Sequence, residues 1–421
     1  MSGINSFYID PGTGAMLFTT IIGIITTASF AFKKWFIKLK FFASGGRDLR
    51  QKDSAKLPIV IFSDSKRYWN VFKPICDELE KRKQEAYFWT LSPDDPALKE
   101  KYEYIKCSFI GEGNHGFARL NMMNAYICLS TTPGLDVYQW RRSKDTEFYA
   151  HVLHSVGGIT FYRMFGLDFY DALLLAGSAQ IDELRNLEKV RKIPEKEVEI
   201  VGAPSLDRLY EQVSKAGRRE KRKENPTVLL APSWGDSSLF HRFGDEFLKK
   251  LRETGYQVII RPHPQSRTSE KELLDRLEKT FPEAENWHWN YDNDNFDSLM
   301  NSDILITDFS GIIFDYTLVF DGPVIYTDTE MDLSPYDACW VDDSASWKNK
   351  TLPSIARKIT TDDIPDIKSI IDEVTADEAM SAGREKARQE AWMHQGESAS
   401  ITADYLIAKL EELKKGNQKD E

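Results

Sequence analysis

Residues 303–315, Asp-Ile-Leu-Ile-Thr-Asp-Phe-Ser-Gly-Ile-Ile-Phe-Asp, run from an apolar stretch through a hydroxyl-rich turn into a second apolar stretch. Ile304, Leu305 and Ile306 are continuously apolar, the pattern of a parallel strand covered on both faces. The turn Thr307-Asp308-Phe309-Ser310-Gly311 therefore falls at a strand's carboxyl end, and the chain restarts as a helix from Ile312. Ligands of open α/β sheets bind at such ends. Hydroxyls, free backbone N–H groups and the positive end of a helix dipole meet there, which suits the turn to a phosphate.

Two further loops have the same grammar. Arg261-Pro262-His263-Pro264 follows Val258-Ile259-Ile260, and its prolines hold the turn extended. Ala231-Pro232-Ser233-Trp234-Gly235 follows Val228-Leu229-Leu230. Three polar strand-end loops point to one crevice for a phosphorylated ligand. Around them, strands at 228–230, 258–260, 287–289, 304–306 and 324–326 alternate with helices at 245–254, 269–281, 295–300 and 312–319. This is a doubly wound sheet. An earlier alternation, with strands at 58–62, 87–90, 125–129 and 172–177 and a helix over 70–83, predicts a second mostly parallel sheet. The fold class is thus α/β, with one Rossmann-like domain over 57–213, another over 227–375, and a charged helical tail over 376–421.

The ordered set Ala-Pro-Ser-Trp-Gly (231–235), Arg-Pro-His-Pro (261–264) and Ser-Asp-Ile-Leu-Ile-Thr-Asp-Phe-Ser-Gly-Ile-Ile-Phe-Asp-Tyr (302–316), preceded by Gly-Ala-Pro-Ser-Leu-Asp-Arg-Leu (202–209), resembles the CDP-glycerol glycerophosphotransferase family. These are membrane-associated enzymes that build teichoic-acid-type polyol phosphate polymers, and the resemblance covers most of residues 150–375. It implies a GT-B-like fold, two Rossmann-like domains facing a cleft with the nucleotide mostly on the C-terminal one. It also implies transfer of glycerol phosphate, or a related polyol phosphate, from a CDP-activated donor. In that family a histidine followed by Gly is the base that activates the acceptor hydroxyl, and His154 stands at this point. Here Ser155 replaces that Gly and Leu153 the usual Trp.

The residues themselves favour His154 as well. It sits in His151-Val152-Leu153-His154-Ser155-Val156-Gly157-Gly158, an apolar segment leading to two glycines that let backbone approach a ligand closely. Phosphotransfer needs a hydroxyl deprotonated, directed in line at phosphorus, and CMP stabilised as it leaves. The expected catalytic pair is His154, as base, and His263. Arg261 and His263 are assigned to the diphosphate, Ser310 and the Gly311 N–H to anion donation with Thr307 assisting, and Ser233 and Trp234 to the nucleotide. Asp308 is open between capping the turn and a ligand role; Asp315, between orienting an imidazole, binding a polyol hydroxyl and a structural capping or pairing role.

Composition bounds the alternatives. A 421-residue chain with 41% hydrophobic and 29% charged residues suits two ordinary globular domains. A net charge of −11 and the lack of an aromatic-basic motif argue against nucleic acid as a partner. Cys76, Cys107, Cys128 and Cys339 are widely spaced, the pattern of reduced thiols. No cofactor or metal site is called for: Asp292-Asn293-Asp294 precedes a helix and reads as a cap. Gly111-Glu112-Gly113-Asn114-His115-Gly116 imitates a phosphate loop only loosely, with no flanking strand and helix expected. Residues 214–226, with six Lys or Arg, read as a solvated linker or as a patch for anionic lipid or polymer.

The N-terminus adds a location. Residues 15–32 carry no charge and would span about 27 Å as a helix, close to the hydrocarbon thickness of a bilayer. Lys33, Lys34, Lys38 and Lys40 follow, with Trp35 and Phe36 among them. The positive-inside rule then leaves 1–14 outside, 33–56 as a basic juxtamembrane linker and the rest cytoplasmic, a single-pass protein of the cell membrane. The expected partners are a CDP-glycerol or related CDP-polyol donor, a membrane-linked polyol or glycan acceptor, and the membrane. Two other classes compete: a GT-B enzyme of nucleotide sugars, transferring or epimerising them, and a membrane-tethered binding or assembly subunit without turnover.

Overall fold

The computed structural model describes residues 56–420 except 218, 293 and 343–345. The expected segments 1–14, 15–32 and nearly all of 33–56 lie outside the described residues. Among the described residues no helix is long and apolar enough to cross a membrane.

The chain from Lys56 onward is one compact unit built on two sheets. The first comprises β1 (Leu57–Ser63), β2 (Ala86–Thr90), β3 (Ile105–Phe109), β4 (Ala125–Ser130), β5 (Thr146–Val152), β6 (Ala172–Leu175) and β7 (Glu197–Ile200), in the order β3-β2-β1-β4-β5-β6-β7. The second comprises β8 (Thr227–Leu230), β9 (Gln257–Ile260), β10 (Trp287–Trp289), β11 (Ile304–Thr307), β12 (Val324–Thr327) and β13 (Arg357–Ile359), in the order β10-β9-β8-β11-β12-β13. All pairings are parallel. Both orders reverse beside the first strand, between β1 and β4 and between β8 and β11, so each sheet opens a crevice at its carboxyl edge there.

β4, β6, β8 and β11 are buried almost throughout, which is why they read as unbroken apolar runs. The strands not predicted from periodicity are β3, β5, β7 and β13. Contrary to expectation, the glycine-rich segment 111–116 has a strand and a helix at it: β3 ends just before it, and the helix Asn114–Leu120 starts within it.

The tail joins both halves. Helix Ser381–Ala391 lies on the second domain, where Arg384 pairs with Asp321 at 2.7 Å and Arg388 Nε donates to the Leu318 carbonyl. Helix Ser398–Asp420 lies on the first, adding Ala403, Leu406 and Leu410 to the core with Ile59, Phe72 and Ile127. Asp207 secures the passage between them, accepting from Trp392 Nε1 at 2.7 Å, Gly396 N at 2.8 Å and Ser398 N at 3.0 Å. An apolar cluster is continuous across the junction, with Val156, Leu206 and Leu209 against Ile313, Phe314 and Leu318. Part of the basic stretch is docked: Arg219 and Arg222 pair with the buried Asp303, and Lys221 Nζ donates to the Ser302 carbonyl.

Candidate active site

The turn after β11 is organised by Asp308. Its fully buried carboxylate accepts from the backbone N–H groups of Ser233 and Leu239 at 3.0 Å and of Ser310 at 3.2 Å. Burial raises its pKa, and those donors pull the other way. The adjacent Thr307 hydroxyl, also fully buried, donates to the Ala231 carbonyl at 2.6 Å. Thr307 and Asp308 thus brace two strand-end loops against each other. Ser310 and Gly311, half-buried and exposed, are left at the surface of the turn. The helix that follows is short, Ile312–Phe314, and widens into a π-helical turn at Asp315–Val319. Such turns are frequent at functional sites.

Arg261 is almost buried, and its guanidinium is engaged by Asn290 Oδ1 and the Asp292 carbonyl, so it ties β9 to the loop after β10. His263 Nδ1 accepts from the Gln265 N–H at 3.1 Å, which leaves the proton of the neutral ring on Nε2. Burial lowers its pKa, the Arg67 charge adding and Glu270 opposing. The exposed Trp234 ring lies 6.4 Å from the His263 ring. Ser233 Oγ is buried with no hydrogen-bond partner among the described residues.

His154 sits in the loop after β5. Its Nδ1 is 3.0 Å from Thr131 Oγ1 and 3.4 Å from Tyr162 OH, and Tyr68 packs against the ring at 5.0 Å. Tyr162 OH also meets His151 Nε2 at 3.2 Å, so one phenol orients both imidazoles. Burial, reinforced by Arg67, holds the His154 pKa down at about 4. With Nδ1 so engaged, Nε2 is the nitrogen left for a substrate. His151, fully buried, is part of the support.

The two domains bring these parts together. A Cβ on Gly311 would lie 3.6 Å from Ser155 Oγ, and one on Gly157 would lie 3.2 Å from the Phe314 ring. Arg67 depresses both His154 and His263, so one guanidinium from the turn after β1 lies within electrostatic reach of both. His154, Arg67, Arg208 and Asp315 line a shared cavity of about 230 Å³. Burial pushes the Asp315 carboxyl up to about 7. A larger cavity of about 650 Å³ is lined by Asp182, Glu183, Asp342 and Glu390 with Lys350, mostly the wrong sign for a diphosphate, and by none of the predicted site residues.

Sequence reasoning missed Arg67, Thr131, Tyr162 and Arg208. Arg67 and Thr131 follow strands at their carboxyl ends, a signal that the strand predictions over 58–62 and 125–129 already carried. Asp294 Oδ1 accepts from the Phe296 N–H at 2.8 Å, at the start of the next helix.

The sequence pattern of the family described as CDP-Glycerol:Poly(glycerophosphate) glycerophosphotransferase matches residues 167–347. Among the curated proteins none matches. Among solved structures, the wall teichoic acid polymerase TagF, as a histidine-to-asparagine variant soaked with CDPG, is similar at TM-score 0.55 and 15% identity, covering 90% of this chain and 98% of that one. A histidine-to-alanine variant of TagF gives 0.56 and 14%, with the same coverage. A putative UDP-N-acetylglucosamine 2-epimerase from Listeria monocytogenes gives 0.54 and 12%, covering 85% and 98%. At such identities the structures speak for the fold, two parallel-sheet α/β domains in a GT-B-like arrangement, and the family pattern speaks for the chemistry. On that pattern, this chain is a CDP-glycerol glycerophosphotransferase-like enzyme.

Proposed function

We propose that the protein transfers glycerol phosphate, or a related polyol phosphate, from a CDP-activated donor to a hydroxyl of a membrane-linked polymer or glycan, releasing CMP. The observation that carries this reading is the approach of the His154 loop to the Ser310-Gly311 turn from opposite domains. A base on one domain and anion donors on the other are what an in-line displacement requires. His154 Nε2 takes the acceptor proton while Nδ1–H donates to Thr131 Oγ1. The oxygen attacks the phosphorus next to the polyol, and the bond to the CMP oxygen breaks. Ser310, the Gly311 N–H and His263 Nε2–H stabilise the departing phosphate, with Ser233 and Trp234 near the nucleotide.

The membrane-linked acceptor and anchoring through 15–32 with a cytoplasmic C-terminal portion are part of the proposal. They rest on the uncharged 18-residue run and the lysines after it. The test is CMP release by the detergent-purified full chain given CDP-glycerol or CDP-ribitol and its own membrane lipids. CMP from either donor, lost in His154→Ala, supports the reading. UDP from a UDP-sugar, with no CMP from either, replaces it with the nucleotide-sugar class, and donor binding without product points to a non-catalytic subunit.

A further inference from the structure

Tyr162 meets His154 Nδ1 from eight residues further along the chain, and Gly157 and Gly158 lie between them, Gly158 at φ +119°. Backbone of that freedom does not by itself keep a phenol against an imidazole. What holds Tyr162 comes from the other domain. The loop after β12 runs antiparallel to the Tyr162 segment, with Arg163 opposite Tyr336. Asp337 N–H donates to the Tyr162 carbonyl at 2.9 Å, Ala338 N–H to the Thr160 carbonyl at 2.8 Å, and Met164 N–H to the Pro335 carbonyl at 3.1 Å. The fully buried Asp337 carboxylate closes this clasp, accepting from Phe165 N–H at 2.8 Å and from Arg191 Nη1 at 2.6 Å, while Arg191 also pairs with Asp168. A buried ion pair is a weak source of stability, because desolvation offsets its attraction, so the Asp337–Arg191 pair is better explained by the geometry it fixes.

A second tie starts from Glu183, on the helix Ala179–Arg191. One of its carboxylate oxygens accepts from Ile159 N–H at 3.1 Å, just past the two glycines, and the other from Trp347 N–H at 3.0 Å, at the start of the second-domain helix Trp347–Ile355. A Cβ on Gly158 would lie 3.2 Å from Glu183 Oε2, so a glycine there lets the carboxylate reach the backbone. The next residue of the second-domain helix, Lys348, donates from Nζ to the Phe309 carbonyl at 3.0 Å, inside the anion turn. The turn and the base loop are thus linked through Lys348, Trp347 and Glu183. Displacing a reacting group by about 1 Å can cost about 10²-fold in rate, so such ties bear on the chemistry. We propose that Asp337 and Glu183 are positioning residues for His154: they anchor residues 159–165 to the second domain, so that the Tyr162 phenol stays against Nδ1 and Nε2 keeps its lone pair for the acceptor. This rests on the transferase reading and goes beyond it, because the domain assigned to the donor then also sets the base carried by the other.

The experiment has two readouts on the full chain in detergent. One is nitrogen NMR of the histidine rings, with the His154 signal identified among the seven histidines by its loss in His154→Ala. The other is steady-state CMP release from CDP-glycerol. At neutral pH the wild-type His154 ring should be a single Nδ1–H tautomer, and Tyr162→Phe, Glu183→Gln and Asp337→Ala should each give a mixture. Asp337→Asn, whose amide oxygen can still accept from Phe165 and Arg191, should restore most of the wild-type signal. In turnover, Tyr162→Phe, Glu183→Gln and Asp337→Ala should each lower kcat about tenfold at unchanged KM for CDP-glycerol. Tyr162→Phe combined with Glu183→Gln should lose no more than Tyr162→Phe alone, because the two act along one line. Losses that multiply in the double variant, as a smaller folded fraction would make them, overturn the proposal. So does a wild-type tautomer in both Tyr162→Phe and Glu183→Gln, which decide the matter if melting curves show that Asp337→Ala does not fold. The ring signal needs no turnover. A tautomer that depends on Glu183 in a protein releasing no CMP keeps the positioning and removes the transferase, while CMP release that is lost in His154→Ala but untouched in Glu183→Gln and Asp337→Ala does the reverse.

Discussion

His154 and Asp315 are two ionisable groups on one cavity, displaced in opposite senses by the same cause. Burial disfavours charge, so the imidazole falls to about 4 and the carboxyl rises to about 7. At neutrality His154 therefore holds a free lone pair, and the acid limb of CMP release should appear below about pH 5, not near the ordinary 6.5. A pH–rate profile checks this, and His154→Ala should lower the rate by about 10²-fold or more. Asp315 makes a stability statement. Its folded form stays protonated over a range where the unfolded group, near 3.8, is already ionised. Stability is then lost as pH rises from about 4 to about 7 and levels off above. Asp315→Asn should stabilise by about 1–3 kcal/mol at pH 8 and be neutral near pH 4, read from melting curves at both. Had the carboxyl a normal pKa, the two pH values would give the same difference.

Among the elements, the loops at strand ends do the placing. Asp308 links the loop after β8 to the one after β11 through three backbone N–H donors. Asp308→Ala leaves those donors buried and unsatisfied, and should cost at least about 2–3 kcal/mol in denaturant unfolding, with Asp308→Asn closer to wild type. If the alanine variant unfolds with the wild-type midpoint, Asp308 belongs to the ligand and not to the scaffold. Its double identity explains what was readable. The motif around 307–311 announced a phosphate-type turn, but sequence could not show that Thr307 and Asp308 turn inward to Ala231 and Ser233 while Ser310 and Gly311 stay outside. Arg261 was masked in the same way, because its partner Asn290 lies on the next loop. The strands show the same limit. β3, β7 and β13 are edge strands with one flank in solvent, so Lys106, Glu197, Glu199, Arg357 and Lys358 break the apolar run that betrays a central parallel strand. β5 is central and was hidden by Glu147 and His151.

At the scale of the whole molecule, the polypeptide passes between its halves twice, near 203–226 and again near 392–398, and Asp207 binds the second passage to the helix that begins the first. Asp207→Ala should lower the melting temperature by several degrees and reduce donor-dependent turnover together, because the histidines sit on opposite sides of this joint; about 1–2 kcal/mol is the scale for losing such a half-buried acceptor. Differential scanning calorimetry would show it, and one cooperative peak at the wild-type temperature would refute it. The second passage has a further consequence for the making of the protein. Ala403, Leu406 and Leu410 complete the hydrophobic layer over the sheet formed by β1–β7, yet they are translated only after the whole second sheet. The half translated first is thus completed after the second, and a nascent chain stopped at residue 397 should hold a closed second domain beside a first one still open to protease.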